Sequence, residues 1–307
     1  MLTIFATPKP FEGKSAWIQR NAIRSWTLLR PACEVILMGD EPGIAGVAAE
    51  LAIHHQRDVG RNEFGTPLAS AAFALAESVA TNRLLCYANA DIIFLDDLIP
   101  AVLTCFRGKP RAMLVGRRTD TPVESELDFR PGWEEDLRRV ARANGRLRAA
   151  DAIDYFVFPK GLIGEIPPFA VGRPRWDNWL LYHARARGAA LVDATSHVTA
   201  VHQNHDYAHH PLGRAGVWEG PEAVRNEQLM GGRGRYFTIA DATHELAGSR
   251  LRWRGRRNLR RRFANLVVLR PWTKVFLGSL LWIADRSYKL RRRLGFTTSG
   301  RGGGGLA

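Results

Sequence analysis

Two polar side chains close an otherwise apolar run in Leu84-Leu85-Cys86-Tyr87-Ala88-Asn89-Ala90-Asp91-Ile92-Ile93-Phe94. Leu84 to Tyr87 read as a strand buried on both faces, the pattern of a parallel sheet covered by helices. Residues two apart on a strand share a face, so the Asn89 amide and the Asp91 carboxylate are expected to aim at one spot. In doubly wound sheets ligands sit beyond the carboxyl ends of the strands. A carboxylate with an oxygen-bearing neighbour there can hold Mg²⁺ or Mn²⁺, which take hard oxygen ligands and accept a diphosphate as co-ligand. The competing reading is a strand end at which Asn89 and Asp91 cap a turn.

Three further stretches carry residues able to do chemistry. In Gly172-Arg173-Pro174-Arg175-Trp176-Asp177-Asn178-Trp179, Pro174 should open a helix, placing Asp177 in its first turn, where a carboxylate offsets the macrodipole. Trp176 and Trp179 flank it, and aromatic rings commonly serve as platforms for sugars. The segment Val198-Thr199-Ala200-Val201 has strand chemistry and runs into His202-Gln203-Asn204-His205-Asp206-Tyr207, then His209-His210. That polar density is hard to place in a core, while HEXXH spacing with a general-base Glu is absent, which argues against a metallohydrolase. In Arg61-Asn62-Glu63-Phe64-Gly65-Thr66-Pro67, Pro67 reads as the first residue of a helix. The free N–H groups at that end can approach a diphosphate, with Arg61 adding a cation; capping explains Thr66 equally well.

The elements that must position these residues are legible as an α/β pattern. Leu2 to Ala6 is an apolar strand ended by Thr7-Pro8-Lys9-Pro10. The helix Ser15 to Leu29 carries Ile18, Ala22, Trp26 and Leu29 as a core-facing stripe, and Glu34 to Met38 is a strand stopped at Gly39-Asp40-Glu41-Pro42-Gly43. The spacing predicts helices over Leu68 to Ala80, Leu98 to Phe106 and Trp133 to Asn144, and strands over Ala112 to Gly116 and Asp154 to Phe158. Asp96 and Asp97 read as caps for the helix that follows them. A Gly-rich dinucleotide fingerprint is absent after the first strand, which counts against a nicotinamide-binding fold.

Asn89-Ala90-Asp91, trailed by Phe94-Leu95-Asp96-Asp97, resembles the Asp-X-Asp motif of GT-A type glycosyltransferases, with Asn in place of the first Asp. The resemblance covers Leu2 to Leu246, and the strings Asp154 to Phe158 and His202 to Tyr207 are similar to those of a bacterial group of predicted glycosyltransferases. It implies a GT-A-like, mostly parallel mixed sheet flanked by helices, and transfer of a sugar from a nucleotide-sugar donor to an acceptor hydroxyl. It further implies that Thr7 and Pro8 line the base pocket and that Asp40 meets base or ribose. Asn89 and Asp91 would meet the donor, with a divalent cation (Mn²⁺ or Mg²⁺) on Asp91 and a late histidine, His202 or His205. Arg233 or Arg235, in the Gly-rich Met230 to Tyr236 loop, would close over the diphosphate. Asp177 would be the general base, with Asp154, Trp176 and Trp179 on the side of a saccharide or lipid-linked acceptor. A nucleotidylyltransferase is the alternative enzyme, but it calls for a Gly-rich, Arg-containing loop where Thr7-Pro8-Lys9-Pro10 stands.

The 307 residues suffice for one large domain and an appendage. The net charge of +14 is concentrated at one end: from Arg250 onward there are 16 Lys and Arg against the single acid Asp285, leaving 28 basic and 29 acidic residues before it. A near-neutral body argues against a nucleic-acid-binding core and points to an electrostatic tether. The expected division is therefore 1–249 as the catalytic domain and 250–307 as a basic amphipathic tail with a disordered Gly-rich end. Within the tail, the apolar run Val275 to Ala284 is about half of the ~20 residues a spanning helix needs. Trp272, Phe276, Leu280 and Trp282 between arginine clusters fit an interfacial helix on an anionic bilayer. Nucleic acid is the second reading, and a non-catalytic adaptor would explain the tail but not the polar clusters. Cys33, Cys86 and Cys105 sit in apolar contexts and read as buried thiols of a reducing compartment. With Met1 running straight into the first strand, the expectation is a cytoplasmic enzyme held at the inner face of a membrane.

Overall fold

The structure, a computed structural model, describes residues 1–204, 213–255, 259–273 and 286. The first half of the chain alternates strands and helices: β1 (Leu2–Ala6), α1 (Gly13–Leu28), β2 (Glu34–Met38), α2 (Ile44–Glu50), β3 (His54–Gln56), α3 (Ala69–Val79) and β4 (Leu84–Ala88). There follow β5 (Ile92–Phe94), α4 (Leu98–Gly108), β6 (Ala112–Val115), β7 (Arg118–Thr121), α5 (Trp133–Asn144), β8 (Arg146–Leu147) and β9 (Tyr155–Pro159). Then come α6 (Trp176–Ala186), β10 (Ala190–Asp193), β11 (Ala200–Gln203), α7 (Gly213–Glu219), α8 (Pro221–Met230), β12 (His244–Ala247), β13 (Arg250–Trp253) and α9 (Leu259–Leu269).

Nine strands form one sheet in the order β13-β12-β10-β6-β9-β4-β1-β2-β3. All its pairs are parallel except those made by β9, which runs antiparallel to β4 and β6, and the β12–β13 hairpin. The mostly parallel mixed sheet with flanking helices is the α/β architecture expected from the sequence. The apolar runs of β1, β4 and β9 are buried because helices cover both faces. On one face Phe5, Phe73, Tyr87, Phe158 and Trp176 interlock, Tyr87 meeting Trp176 edge-on at 5.1 Å. On the other, Trp26 of α1 packs against Phe94, itself edge-on to Tyr155.

A second sheet, β5-β11-β7-β8, starts where the chain leaves β4. α1 ties it down with polar bonds inside the core: Trp26 Nε1 donates to the Ile92 carbonyl at 2.9 Å, and Asn21 Nδ2 to Gln203 Oε1 at 2.9 Å. Gln203 in turn donates to the carbonyls of Ile18 (2.7 Å) and Asp91 (3.3 Å). The polar run at His202 is thus partly accounted for by packing: Gln203 is fully buried as the link between α1 and the small sheet.

Two expectations about boundaries are corrected here. The chain divides into compact units at Met1–Arg257 and Asn258–Ala307, because Arg250–Trp253 forms β13, hydrogen-bonded along β12; a boundary at 249 cuts a hairpin. Pro67 does not open a helix: it makes an isolated bridge with Arg61, Leu68 bridges Ala170, and α3 starts at Ala69. Cys86 and Cys105 are buried thiols and Cys33 is partly buried.

In the second unit, α9 places Leu259, Phe263 and Leu266 exposed at helical spacing, with Trp272 exposed beyond it. Among the described residues no helix is long and apolar enough to cross a membrane. Phe276, Leu280 and Trp282 lie outside the described residues.

Candidate active site

Register brings the site together. β1 and β4 are parallel, so Thr7 and Asn89 leave the sheet at the same edge. β9 is antiparallel to β4 with Ala88 opposite Tyr155, so Asp154 enters at that edge, and its carbonyl accepts the Asn89 N–H at 2.9 Å. These residues therefore lie beyond the carboxyl ends of parallel strands, at the point where the chain crosses to the second sheet.

Asn89-Ala90-Asp91 is a turn and not an extension of the strand: β4 ends at Ala88, and the Ile92 N–H closes on the Asn89 carbonyl at 3.1 Å. The two side chains accordingly take different partners, correcting the shared-face expectation. Asn89 Nδ2 donates to Asp154 Oδ1 at 2.6 Å, while Asp91 Oδ2 lies 3.7 Å from His202 Nε2. Between them runs one polar chain. Arg118 Nη1 forks onto Asp154 (3.0 and 2.9 Å), Arg118 Nε donates to Asp120 Oδ1 (3.0 Å), and Asp120 Oδ1 lies 3.2 Å from His202 Nδ1. The order is Asn89, Asp154, Arg118, Asp120, His202, Asp91, all partly or fully buried.

Ionisation follows from these contacts. Burial works against the Asp120 carboxylate, but the His202 bond and the charges of Arg118 and Arg148 outweigh it and hold Asp120 below the usual carboxylate range. Burial likewise opposes the Arg118 cation, and Asp154, Asp120 and Asp91 more than restore it. Asp154, expected on the acceptor side, is instead taken up by Arg118 and Asn89 and joins the two sheets.

Asp177 stands in the first turn of α6, as the sequence implies, and its Oδ1 accepts the Asn178 N–H at 2.8 Å. It keeps part of its surface open, yet burial, with the charge of Asp154 adding, pushes its carboxyl up to about 7 despite that hydrogen bond. Asp177 is thus partly accessible and nonetheless desolvated. The residue before the helix, Arg175, has φ 87°, a conformation that costs a non-glycine residue about 1–3 kcal/mol. It is held there by Glu227 and by stacking of its guanidinium 5.4 Å from the Tyr236 ring centre. Burial raises the phenol pKa of Tyr87, as do the charges of Asp91, Asp154 and Asp177, against the Thr7 hydroxyl. The charges of all three carboxylates thus act on this one tyrosine.

Three residues of this site were not singled out from the sequence. Lys9 is partly buried; burial lowers its pKa, Arg173 adds to that and the charge of Asp91 opposes it. Gln19 grips its backbone on both sides, accepting from the Lys9 N–H (2.7 Å) and donating to its carbonyl (2.9 Å). Arg118 and Asp120 are the others, and their alternation in Arg117-Arg118-Thr119-Asp120 is the period-two signal that puts them on one face of β7.

Several expected site residues stand elsewhere. Trp176 and Trp179 are each only 6% exposed. Trp176 belongs to the aromatic core, and Trp179 stacks on His183 at 4.4 Å, so neither is a sugar platform. Arg61 is not a spare cation, since Asp40 (2.6 Å) and Glu41 (2.8 Å) neutralise it and leave Asp40 itself in an ion pair. Pro8 is buried beside Thr7 at the end of β1. Arg233 and Arg235 are exposed on a turn after Gly231 and Gly232, Arg235 lying 5.6 Å over the Tyr182 ring of α6. Asp97 occupies the cap position of α4, but its carboxylate accepts the Thr199 N–H at 3.1 Å instead of capping. His205, Asp206 and Tyr207 lie outside the described residues.

No family model and no curated protein matches this sequence. The fold is similar to solved glycosyltransferases. One is the mannosyltransferase PcManGT from Pyrobaculum calidifontis in complex with GDP-Man and Mn²⁺, at 15% identity and TM-score 0.40, covering 65% of this chain and 56% of that one. A second is S. aureus TarS 1–349, at 10% identity and TM-score 0.41, covering 66% and 57%. A third is glucosyl-3-phosphoglycerate synthase from Mycobacterium tuberculosis in complex with Mg²⁺ and uridine diphosphate, at 14% and 0.42, covering 67% and 72%. The chain thus spans little more than half the length of the first two.

Among the described residues no group of three His, Cys, Asp or Glu side chains forms a ready metal cage. The donors at hand are the Asp91 carboxylate and His202 Nε2, 3.7 Å apart. One carboxylate and one imidazole suit Mn²⁺ or Mg²⁺ when substrate phosphate and water fill the remaining positions.

Proposed function

We propose that this chain is a glycosyltransferase of the GT-A type, moving a sugar from a nucleotide-sugar donor to an acceptor hydroxyl. The observation that carries the reading is the pair Asp91 and His202 beyond the strand ends, with Lys9 acted on by the charge of Asp91 and the desolvated Asp177 by that of Asp154. Asp91, His202 and Lys9 suit a metal-bound diphosphate, and Asp177 suits proton removal. In the transfer, Asp177 takes the proton of the acceptor hydroxyl as that oxygen bonds to the anomeric carbon, and the bond from that carbon to the diphosphate breaks. The donor leaves as nucleoside diphosphate. A divalent cation on Asp91 and His202 would offset the charge that develops on it, and the Lys9 ammonium adds a second positive group on the same side. Asn89, Asp154 and Arg118 hold the two sheets in register beneath these groups. Thr7 and Pro8, at the end of β1, are proposed to border the donor, and Arg233 and Arg235, on the turn after Gly232, to close over it. Saccharides and lipid-linked saccharides are the acceptor class.

The reading is tested by incubating the full-length protein with a panel of nucleotide sugars and Mn²⁺. One donor is expected to be hydrolysed slowly without acceptor and to raise the melting temperature. A protein that neither turns over nor binds any of them contradicts the assignment.

The second unit is proposed to tether the enzyme to the cytoplasmic face of a membrane. Its support is charge and exposure: from Asn258 onward 11 Lys and Arg stand against the single acid Asp285, and Leu259, Phe263, Leu266 and Trp272 are exposed beside arginines. Each Lys or Arg near an anionic surface contributes about 1 kcal/mol of attraction, lost within a Debye length. A variant ending at Arg257, which keeps the β12–β13 hairpin whole, is expected to stay folded and active on soluble acceptor. It should fail to co-sediment with anionic vesicles that retain the full chain at low salt. Equal vesicle binding by both forms, or a preference of the full chain for RNA over lipid, overturns the tether.

A further inference from the structure

His202 stands between two carboxylates, and the strand register puts it there. β11 pairs with β7 in parallel, His202 opposite Asp120, and with β5 antiparallel, His202 opposite Ile92, the residue after Asp91. Asp120 and His202 are therefore direct cross-strand neighbours, with Asp91 in the turn just before the residue opposite His202 on the other side, and no side-chain rotation can bring a different residue of β7 opposite the ring. Asp120 Oδ1 is 3.2 Å from Nδ1, on the side away from Asp91. Asp120 is itself anchored: Arg118 Nε reaches Oδ1 at 3.0 Å, and Arg148 Nε lies 3.4 Å from Oδ2. It is thus held in place.

We propose that Asp120 is the positioning residue of the cation site, holding the His202 ring by its Nδ1–H so that the Nε2 lone pair is presented beside Asp91. The inference rests on the reading of Asp91 and His202 as cation ligands and adds the residue that makes His202 one. A carboxylate ionised by two arginines accepts a hydrogen bond and donates none, so Asp120, 3.2 Å from Nδ1 against 3.7 Å from Asp91 to Nε2, favours the neutral ring that carries its proton on Nδ1. Such a carboxylate fixes both the tautomer and the ring plane of a metal-binding histidine, and its loss typically costs 10–100-fold in metal affinity. Asp120 touches neither donor nor acceptor in this account, and it acts through the imidazole alone.

The test uses the full-length protein and Mn²⁺ alone, followed by the electron paramagnetic resonance signal of the free ion. Mn²⁺ is expected to bind the wild type, and Asp120→Asn and Asp120→Ala are expected to weaken it about 10- to 100-fold while His202→Ala weakens it at least as much. In parallel, ¹⁵N shifts of the His202 ring in metal-free wild type, at a pH where the ring is neutral, should report the Nδ1–H tautomer. That second measurement needs no Asp120 variant and decides the matter if the variants fail to fold. Unchanged affinity in Asp120→Ala, or a wild-type ring protonated on Nε2, overturns the role of Asp120 and leaves the metal reading intact. A wild type that binds no Mn²⁺ refutes the cation site and the proposal with it.

Discussion

Replacing Asp91 by alanine is expected to lower metal-dependent turnover of the nucleotide-sugar donor by about 10³-fold or more, the size of the several kcal/mol that a bound cation supplies to a leaving diphosphate. The other end of the turn motif cannot substitute, because the Asn89 amide is committed to Asp154 at 2.6 Å. His202 alone offers one nitrogen. The loss should be one of chemistry and not of folding: the backbone of Asp91 is fixed through its carbonyl, which accepts from Gln203 Nε2 at 3.3 Å whatever side chain it bears. Donor hydrolysis with and without Mn²⁺, with a melting curve on the same sample, separates the two effects. Unchanged Mn²⁺-dependent hydrolysis in Asp91→Ala would remove Asp91 from the metal site.

Asp177→Asn should keep donor binding and lose transfer by about 10²–10⁴-fold, the usual contribution of a general base. The shape of the side chain is retained and its basicity is not. The raised carboxyl adds two pH signatures. A base with a pKa near 7 works only when ionised, so kcat/KM of the wild type should rise with pH through about 7 and then level, and the residual activity of the variant should lack that limb. Stability moves the opposite way. The unfolded carboxyl ionises near 4, whereas the folded one holds its proton up to about 7. The folded wild type therefore loses stability as pH rises across that interval, because the charge it must then bear is poorly solvated. Asp177→Asn carries no such charge and should melt higher than the wild type at pH 8, with the difference shrinking toward pH 4. A variant with near-normal transfer returns Asp177 to offsetting the dipole of α6.

The framework of the fold was legible because its strands are continuous apolar runs and its helices carry buried stripes. β1 and β2 fall where the pattern puts them, and α1, α3, α4 and α5 within one or two residues of it. What local pattern could not show is register. Asp120 looked like one residue of a polar stretch, and only the pairing of β7 with β11 sets it against His202. Asn89 and Asp91 obeyed strand alternation on paper, but the chain turns between them, and each joins a different sheet. The tryptophans beside Asp177 erred in the opposite sense. Their spacing along a helix was clear, yet the aromatic layer from Phe5, Phe73 and Tyr87 claims Trp176 for the core, and His183 with Phe169 claims Trp179. Arg61 was read as a free cation because the partners that neutralise it, Asp40 and Glu41, lie about twenty residues earlier. Lys9 was overlooked between two prolines, in a loop whose position depends on the Gln19 clamp.

On the proposed function, a nucleoside diphosphate binds beyond the ends of β1 and β4 through a cation on Asp91. Calorimetric titration of UDP and GDP into the full-length protein, with Mn²⁺ and with chelator, tests it without needing the acceptor or the sugar. Binding of at least one of the two is expected to require Mn²⁺ in the wild type and to disappear in Asp91→Ala. Binding that is indifferent to both the metal and Asp91, or no binding of either nucleotide under any condition, contradicts it.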